Sequence, residues 1–180
     1  MDRRTLDRLL SSAGLVVALV MAIGGGLALV ASNYANEQVR SQLVQEKVFF
    51  PPKLEFKDIQ QYAGQQVDTG QEAKVYADKY IWRHMMAASG GKTYAEVSAE
   101  AMANPGDQKL QQVRQTLFMG DMLRSSLLTA YAFGQIGQIA MWAAIVLWVG
   151  AAILIILAVL GYRHAARVAT VEGRTEPARV

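Results

Sequence analysis

Two stretches of this chain, Ala13–Ala31 and Ile139–Gly161, contain no charged residue and run for 19 and 23 residues. As helices they would measure about 28 and 34 Å, enough to cross the roughly 30 Å hydrocarbon layer of a bilayer. Lipid offers no hydrogen bonds to backbone amides, so an uncharged run of this length is stable there only as a helix. The sequence therefore predicts an all-α membrane protein: two transmembrane helices extended into a small extracytoplasmic helical bundle. The expected layout is a cytoplasmic N-terminus over 1–12, a first span over 13–32, an outer helical domain over 33–135, a second span over 136–161 and a cytoplasmic tail over 162–180.

Arginine sets the orientation. Arg3, Arg4 and Arg8 precede the first run, and Arg163, Arg167, Arg174 and Arg179 follow the second. The positive-inside rule keeps both flanks in the cytoplasm, which predicts a multi-pass protein of the plasma membrane with both termini inside. Residues 33–135 carry 11 Lys/Arg and 11 Asp/Glu, so this region is neutral and offers no basic face to nucleic acid. Tyr34, Tyr131 and Tyr162 fall near the expected water interfaces, where amphipathic rings settle. The basic start and Val30-Ala31-Ser32 resemble a secretory signal. The apolar core is longer than the roughly 7–15 residues of such a signal, so the first span is expected to be retained. Cysteine is absent, which removes disulfides and thiolate chemistry from consideration.

Small residues mark both spans. Gly14, Ala18, Ala22 and Gly26 recur every four residues on the first, and Gly134, Gly137 and Gly150 mark the second. Such spacing lets helices approach closely. Two readings follow: pairing of the two spans within the chain, or oligomerisation along the stripe. The run Gly24-Gly25-Gly26 weakens a helix and reads as a packing notch or a kink.

In the outer region, Asn33–Val48 continues the first span, with Val39, Leu43 and Lys47 on one face. Phe49-Phe50-Pro51-Pro52 must break it. Lys53–Gly70 reads as loop with one short turn, and Gln71–Ala88 as a helix with Val75, Ile81, Trp82, Met85 and Met86 on its apolar stripe. Gly90 closes that helix. Thr93 and Glu96 form a capping box that opens a helix to Ala103, and Asn104-Pro105-Gly106 is a turn. Asp107 caps a last helix, with Leu110, Val113 and Leu117 on its stripe, that runs through the membrane to Tyr162. The tail from Ala169 is polar and reads as disordered.

Reactive constellations are scarce. His84 and His164 fall on opposite sides of the predicted membrane and cannot share a site. His84 lacks convincing metal partners at helical spacing, since only Tyr80 and Asp78 are near. Asp68, Glu72 and Asp78 alternate with Lys74 and Lys79 as a solvated helix face does. Ser89, Ser98 and Ser125 lack a nucleophile elbow. Gly90-Gly91-Lys92-Thr93 has the ending of a phosphate loop without its leading glycine or a preceding strand. No catalytic, metal or cofactor-binding residue is assigned. The most distinctive polar pair is Asp121 and Arg124: an i,i+3 ion pair, or an arginine free to meet lipid phosphate or a partner's acid.

Gly91-Lys92-Thr93-Tyr94-Ala95-Glu96 and Met122-Leu123-Arg124-Ser125-Ser126-Leu127, followed by Thr129-Ala130-Tyr131-Ala132-Phe133-Gly134, resemble a group of small two-span actinobacterial membrane proteins. Members often carry the label "aromatic ring-opening dioxygenase". That label implies an iron held by two histidines and a carboxylate, and the placement of His84 and His164 argues against it. No functional residue is carried over from the resemblance.

The leading expectation is a non-enzymatic accessory or scaffold protein acting through helix–helix contacts, without a cofactor. Its expected partners are membrane lipid and either further copies of itself or another membrane protein. The alternatives are a sensor-like ligand-binding module signalling through a partner, a cryptic enzyme, and an oligomeric pore. The candidate packing or interaction residues are Gly14, Ala18, Ala22, Gly26, Asp121, Arg124 and Gly134.

Overall fold

The structure, a computed structural model, describes the backbone of residues 3–175 and the side chains of residues 3–167. Among the described residues every regular element is helical: α1 (Arg3–Gln45), α2 (Gly70–Val75), α3 (Trp82–Ser89), α4 (Tyr94–Ala103) and α5 (Gln108–Thr175). A 3₁₀ helix covers Lys57–Tyr62, and a π-helical segment, Tyr76–Ile81, joins α2 to α3. Helices α1 and α5 are long and apolar enough to cross a membrane, so the all-helical class with two long apolar helices matches the sequence reading. The chain divides into two compact units, one built from the segments up to Ser32 and from Ile139 onward, the other from Asn33–Gln138.

In the first unit α1 and α5 pair antiparallel. The buried positions are Ser11, Ala18, Gly25 and Ser32 on α1, and Ala144, Ala151, Ala158 and Ala165 on α5, each seven residues from the next. A seven-residue repeat keeps one face turned to a partner in a left-handed supercoil. Small side chains there bring the backbones together, so dispersion contacts hold the pair. The larger side chains point away: Val16, Val20, Leu27, Val146, Val149 and Ile156 are all exposed.

Gly25 is a notch in this seam. A Cβ there would lie 2.5 Å from Cδ1 of Trp148, whose Nε1 donates to the Ala22 carbonyl at 3.2 Å. Gly150 against Met21 and Gly161 against Ser11 repeat the device at other levels. The Ser12 and Tyr162 hydroxyls share a 2.7 Å hydrogen bond.

Of the two readings of the four-residue stripe, pairing within the chain is corrected here. Of Gly14, Ala18, Ala22 and Gly26, only Ala18 is fully buried, and a Cβ on Gly14 or Gly26 would meet nothing within 4 Å. A four-residue step rotates about 40° past a full turn, so such a stripe drifts off the contact line. A seven-residue step drifts only about 20°.

The second unit has its own apolar core. Val39 and Leu43 of α1, Ile59 of the 3₁₀ helix, Ala77 and Ile81 of the π segment, Met85 of α3, Val97 of α4 and Leu117 and Leu127 of α5 are buried together with Phe50, Leu54 and Val67. The caps are local. Thr69 with Glu72, and Thr93 with Glu96, form two capping boxes, and Asp107 accepts from the Leu110 amide at 3.0 Å. Gly90 and Gly91 have φ of 66° and 88°, and the Gly91 amide donates to the Met86 carbonyl at 2.8 Å. That geometry closes α3 in a Schellman turn and leaves no cradle for phosphate.

Several other expectations change. Lys47 leaves the α1 stripe, because the helix ends at Gln45 and Lys47 turns back with φ of 50°. Phe50 then folds inward: its amide donates to the Gln65 carbonyl at 2.9 Å and the Val67 amide to the Val48 carbonyl at 2.9 Å, a single antiparallel bridge of Phe49 with Gln66 that ties the chain before the expected loop to its far end. Helix α5 continues past Tyr162 to Thr175, through part of the tail expected to be disordered from Ala169. Its Ala, Arg and Glu residues favour helix. Positions 176–180 lie outside the described residues.

Candidate functional site

Within the second unit, the densest set of polar side chains gathers around Arg124. In a regular α-helix each carbonyl accepts from the amide four residues on. In the π segment the Ala77 carbonyl instead accepts from the Trp82 amide, five residues on. The same carbonyl takes a second hydrogen bond from Arg124 Nε at 3.1 Å. Arg124 Nη2 donates to Asp78 at 3.0 Å, and the guanidinium lies 4.5 Å from the centre of the Trp82 ring. The planar fork of arginine suits this task, since it can bond edge-on and stack face-on at once.

The pair read from sequence, Asp121 with Arg124, is present at 3.8 Å but is the longer contact. Asp78 is the nearer partner, brought over 46 positions of chain. Lys74 reaches the other Asp78 oxygen at 2.8 Å and lies 5.0 Å over the Tyr131 ring. The Lys74 hydrogen bond, with help from Arg124, holds the Asp78 carboxyl below its ordinary range against the opposing effect of burial. Asp78 in turn raises Lys74. Two cations and two carboxylates thus neighbour one another; Arg124 Nε and Nη2 are hydrogen-bonded, while Nη1 has only the 3.8 Å contact with Asp121 beside an open hollow.

Gly134, expected to serve a span, belongs to this unit instead. Its Cα faces Gly70 at the start of α2, and a Cβ on Gly70 would lie 3.0 Å from the Ala130 carbonyl and 3.1 Å from the Tyr131 Cα. This backbone-to-backbone approach anchors α2 directly on α5. Thr69 and Glu72 frame it. Burial opposes the Glu72 charge, but hydrogen bonds from the Asp68 and Thr69 backbones and the Thr69 hydroxyl overcome it, and its pKa is lowered. Asp68 is raised, by burial and by the adjacent Glu72.

On the far side of α3, Tyr62, Phe50, Tyr76, Tyr80, His84 and Phe56 form a chain of ring contacts with centroids 4.4–5.5 Å apart. His84 joins this chain and keeps one edge exposed. Its Nδ1 lies 2.8 Å from the Tyr80 carbonyl, and Nε2 lies 3.9 Å from Glu55 at the surface. Burial, with Tyr80, raises the Tyr76 hydroxyl. Nearby, Arg83 grips both Asp58 oxygens at 2.7 and 2.8 Å and holds that carboxyl well below the usual range. Among the described residues, no three His, Asp or Glu side chains converge as a metal site requires.

Gly25 lies in the run read from sequence as a packing notch or a kink, whereas the seam residues Ser11, Ser32, Ala144, Ala151, Ala158 and Ala165, and the Asp78–Arg124 link, are not singled out by the sequence reading. Ala144, Ala151, Ala158 and Ala165 do carry a signal, an alanine at every seventh position. Thr69-x-x-Glu72 carries the same capping signature as Thr93-x-x-Glu96.

Compared with known proteins, the chain matches no family model, no curated protein and no solved structure.

Proposed function

We propose that this chain is a non-enzymatic integral membrane accessory or scaffold protein. Its two apolar helices each cross a cell membrane, both termini lie in the cytoplasm, and the Asn33–Gln138 unit lies outside as a small helical bundle. The two-span layout is also what the resemblance to the small actinobacterial proteins implies.

One observation carries the membrane reading. The most apolar windows of α1 and α5 have only 11% and 17% of their residues buried within the chain. A core helix of a soluble protein would bury most of such a window, whereas these turn Val16, Val20, Val146 and Ile156 outward. At about 25 cal/mol per Å² of apolar surface, leaving that area in water is far more costly than leaving it in lipid. Arginine at both ends supports the orientation.

The accessory role rests on the polar chemistry. Several charged groups of the outer unit pair with one another around Arg124 and Arg83, and its histidine stacks against Tyr80 and Phe56 with no second histidine beside it. What remains presented to a partner is surface and shape.

The chain contains no cysteine, so single thiols report cleanly. Lys109→Cys on α5 is expected to react with a membrane-impermeant maleimide in intact cells. Ala166→Cys is expected to react only after permeabilisation. The reverse pattern, or a chain that stays in solution without detergent, sinks the topology. Affinity capture in mild detergent is expected to recover a stoichiometric membrane partner or a homo-oligomer. A lone monomer would sink the scaffold role.

A further inference from the structure

We propose that the groove between Tyr34–Gln42 of α1 and Ser126–Ile136 of α5, within the outer unit, holds one acyl chain of a phospholipid from the outer leaflet. This rests on the membrane reading above. The groove has a volume of about 460 Å³, and Tyr34, Gln38, Gln42, Ser126, Ala130 and Phe133 are among its lining residues. Through Gln42, Ser126 and Ala130 it adjoins a second hollow of about 330 Å³ that reaches Val48 and Leu123.

The lining selects the occupant. No charged side chain faces the first hollow, and only Glu46 lies at the second. A charged peptide or a headgroup phosphate would therefore be desolvated without compensation, whereas a hydrocarbon chain would not. From Ile136 to Leu123 the helix rises about 20 Å, somewhat more than one leaflet of hydrocarbon, about 15 Å. Spread over that length, the hollows are much narrower than a helix of about 10–12 Å diameter.

Uncharged length points the same way. Helix α5 has no charged residue from Ser125 to Tyr162, 38 residues. That is about 57 Å of helix, against the roughly 30 Å that a bilayer covers. The excess includes the groove residues, and Phe133 and Ile136 are exposed there. Tyr34 and Ile136 stand within three residues of the apolar runs ending at Ala31 and starting at Ile139. A chain can enter at that end while its headgroup stays at the membrane surface.

The test uses the full chain in phosphatidylethanolamine and phosphatidylglycerol vesicles containing a phospholipid with a diazirine near the end of one acyl chain. Photolysis is expected to label peptides from 34–42 and 126–136 as well as the span around Val146. Ser126→Phe, or Gln42→Trp as a second variant, fills the groove and is expected to cut groove labelling about tenfold, as loss of a few buried methylenes would. Span labelling should hold. Span labelling without groove labelling, or groove labelling that neither variant reduces, overturns the proposal. Labelling of neither region overturns the membrane reading itself. Ser126→Cys that converts mainly to a disulfide-linked dimer assigns the groove to a second copy of the chain and also overturns the proposal.

Discussion

The indole of Trp148 occupies the space that any side chain at Gly25 would need, with Cδ1 and Nε1 at 2.5 and 2.6 Å from a Cβ placed there. Gly25→Ala must displace the ring and break its hydrogen bond to the Ala22 carbonyl. Overpacking of this kind costs about 1–3 kcal/mol, so the melting midpoint in detergent is expected to fall. Gly14→Ala, with nothing within 4 Å, is expected to hold or raise the midpoint, because alanine favours helix by about 1 kcal/mol over glycine. Equal midpoints for Gly25→Ala and the parent would show that the indole does not sit in the seam.

Arg124 ties α5 to the π segment, and its side chain is only 20% exposed. Arg124→Ala removes hydrogen bonds to the Ala77 carbonyl and Asp78 and the stacking on Trp82. Asp78 keeps Lys74, so the loss is expected to be about 1–3 kcal/mol, below that of orphaning a fully buried charge. Arg124→Lys keeps the charge but not the fork and should recover less than half of it. Denaturant titration followed by tryptophan fluorescence measures both.

Acid should weaken the Asn33–Gln138 unit partly through Asp78. Its folded pKa is lowered from 3.8, mainly by Lys74. Its contribution is therefore complete above pH 3.8 and is lost as pH falls through the lowered value. Lys74 is raised from 10.5, so its share is complete below that pH and is lost as pH rises through the raised value. Asp68 runs the other way: its raised pKa means that ionising it costs stability as pH climbs past 3.8. Melts at several pH values are expected to show Asp78→Asn less stable than the parent at neutrality, with the two curves converging below pH 3.8. A constant gap down to strong acid would remove Asp78 from this role.

Gly70→Ala is expected to be among the most damaging small substitutions in the Asn33–Gln138 unit. Its Cβ would press on backbone atoms of Ala130, Tyr131 and Gly134 rather than on a movable side chain, at a cost of about 1–3 kcal/mol or more. Gly120→Ala faces only the flexible end of Met85 and should cost less. Thermal melts of the two variants rank them directly.

What the sequence made legible was mostly local. Thr93 with Glu96, Asp107 before Leu110, Pro51-Pro52 and Gly90 each act within a few residues of themselves, so their signals sit side by side in the chain. The seam alanines were present too, but a four-residue stripe of glycine and alanine competed with them, and only helix pairing chooses between the two periods. Asp78 and Arg124 could not be matched, because their partnership depends on how α2 docks through Gly70. Nothing in Tyr76–Ile81 distinguishes π from α geometry by composition.

A π turn spends one more residue than an α turn on about the same rotation. Were a single position between Ala77 and Ile81 deleted, the segment could close as an ordinary α-helix with both flanks in phase, so Met85 would still face Gly120 and Trp82 would still cover the guanidinium. A deletion within Trp82–Ser89, by contrast, would turn everything after it by about 100°. The middle helix can therefore shed a residue at this one stretch and nowhere beyond it.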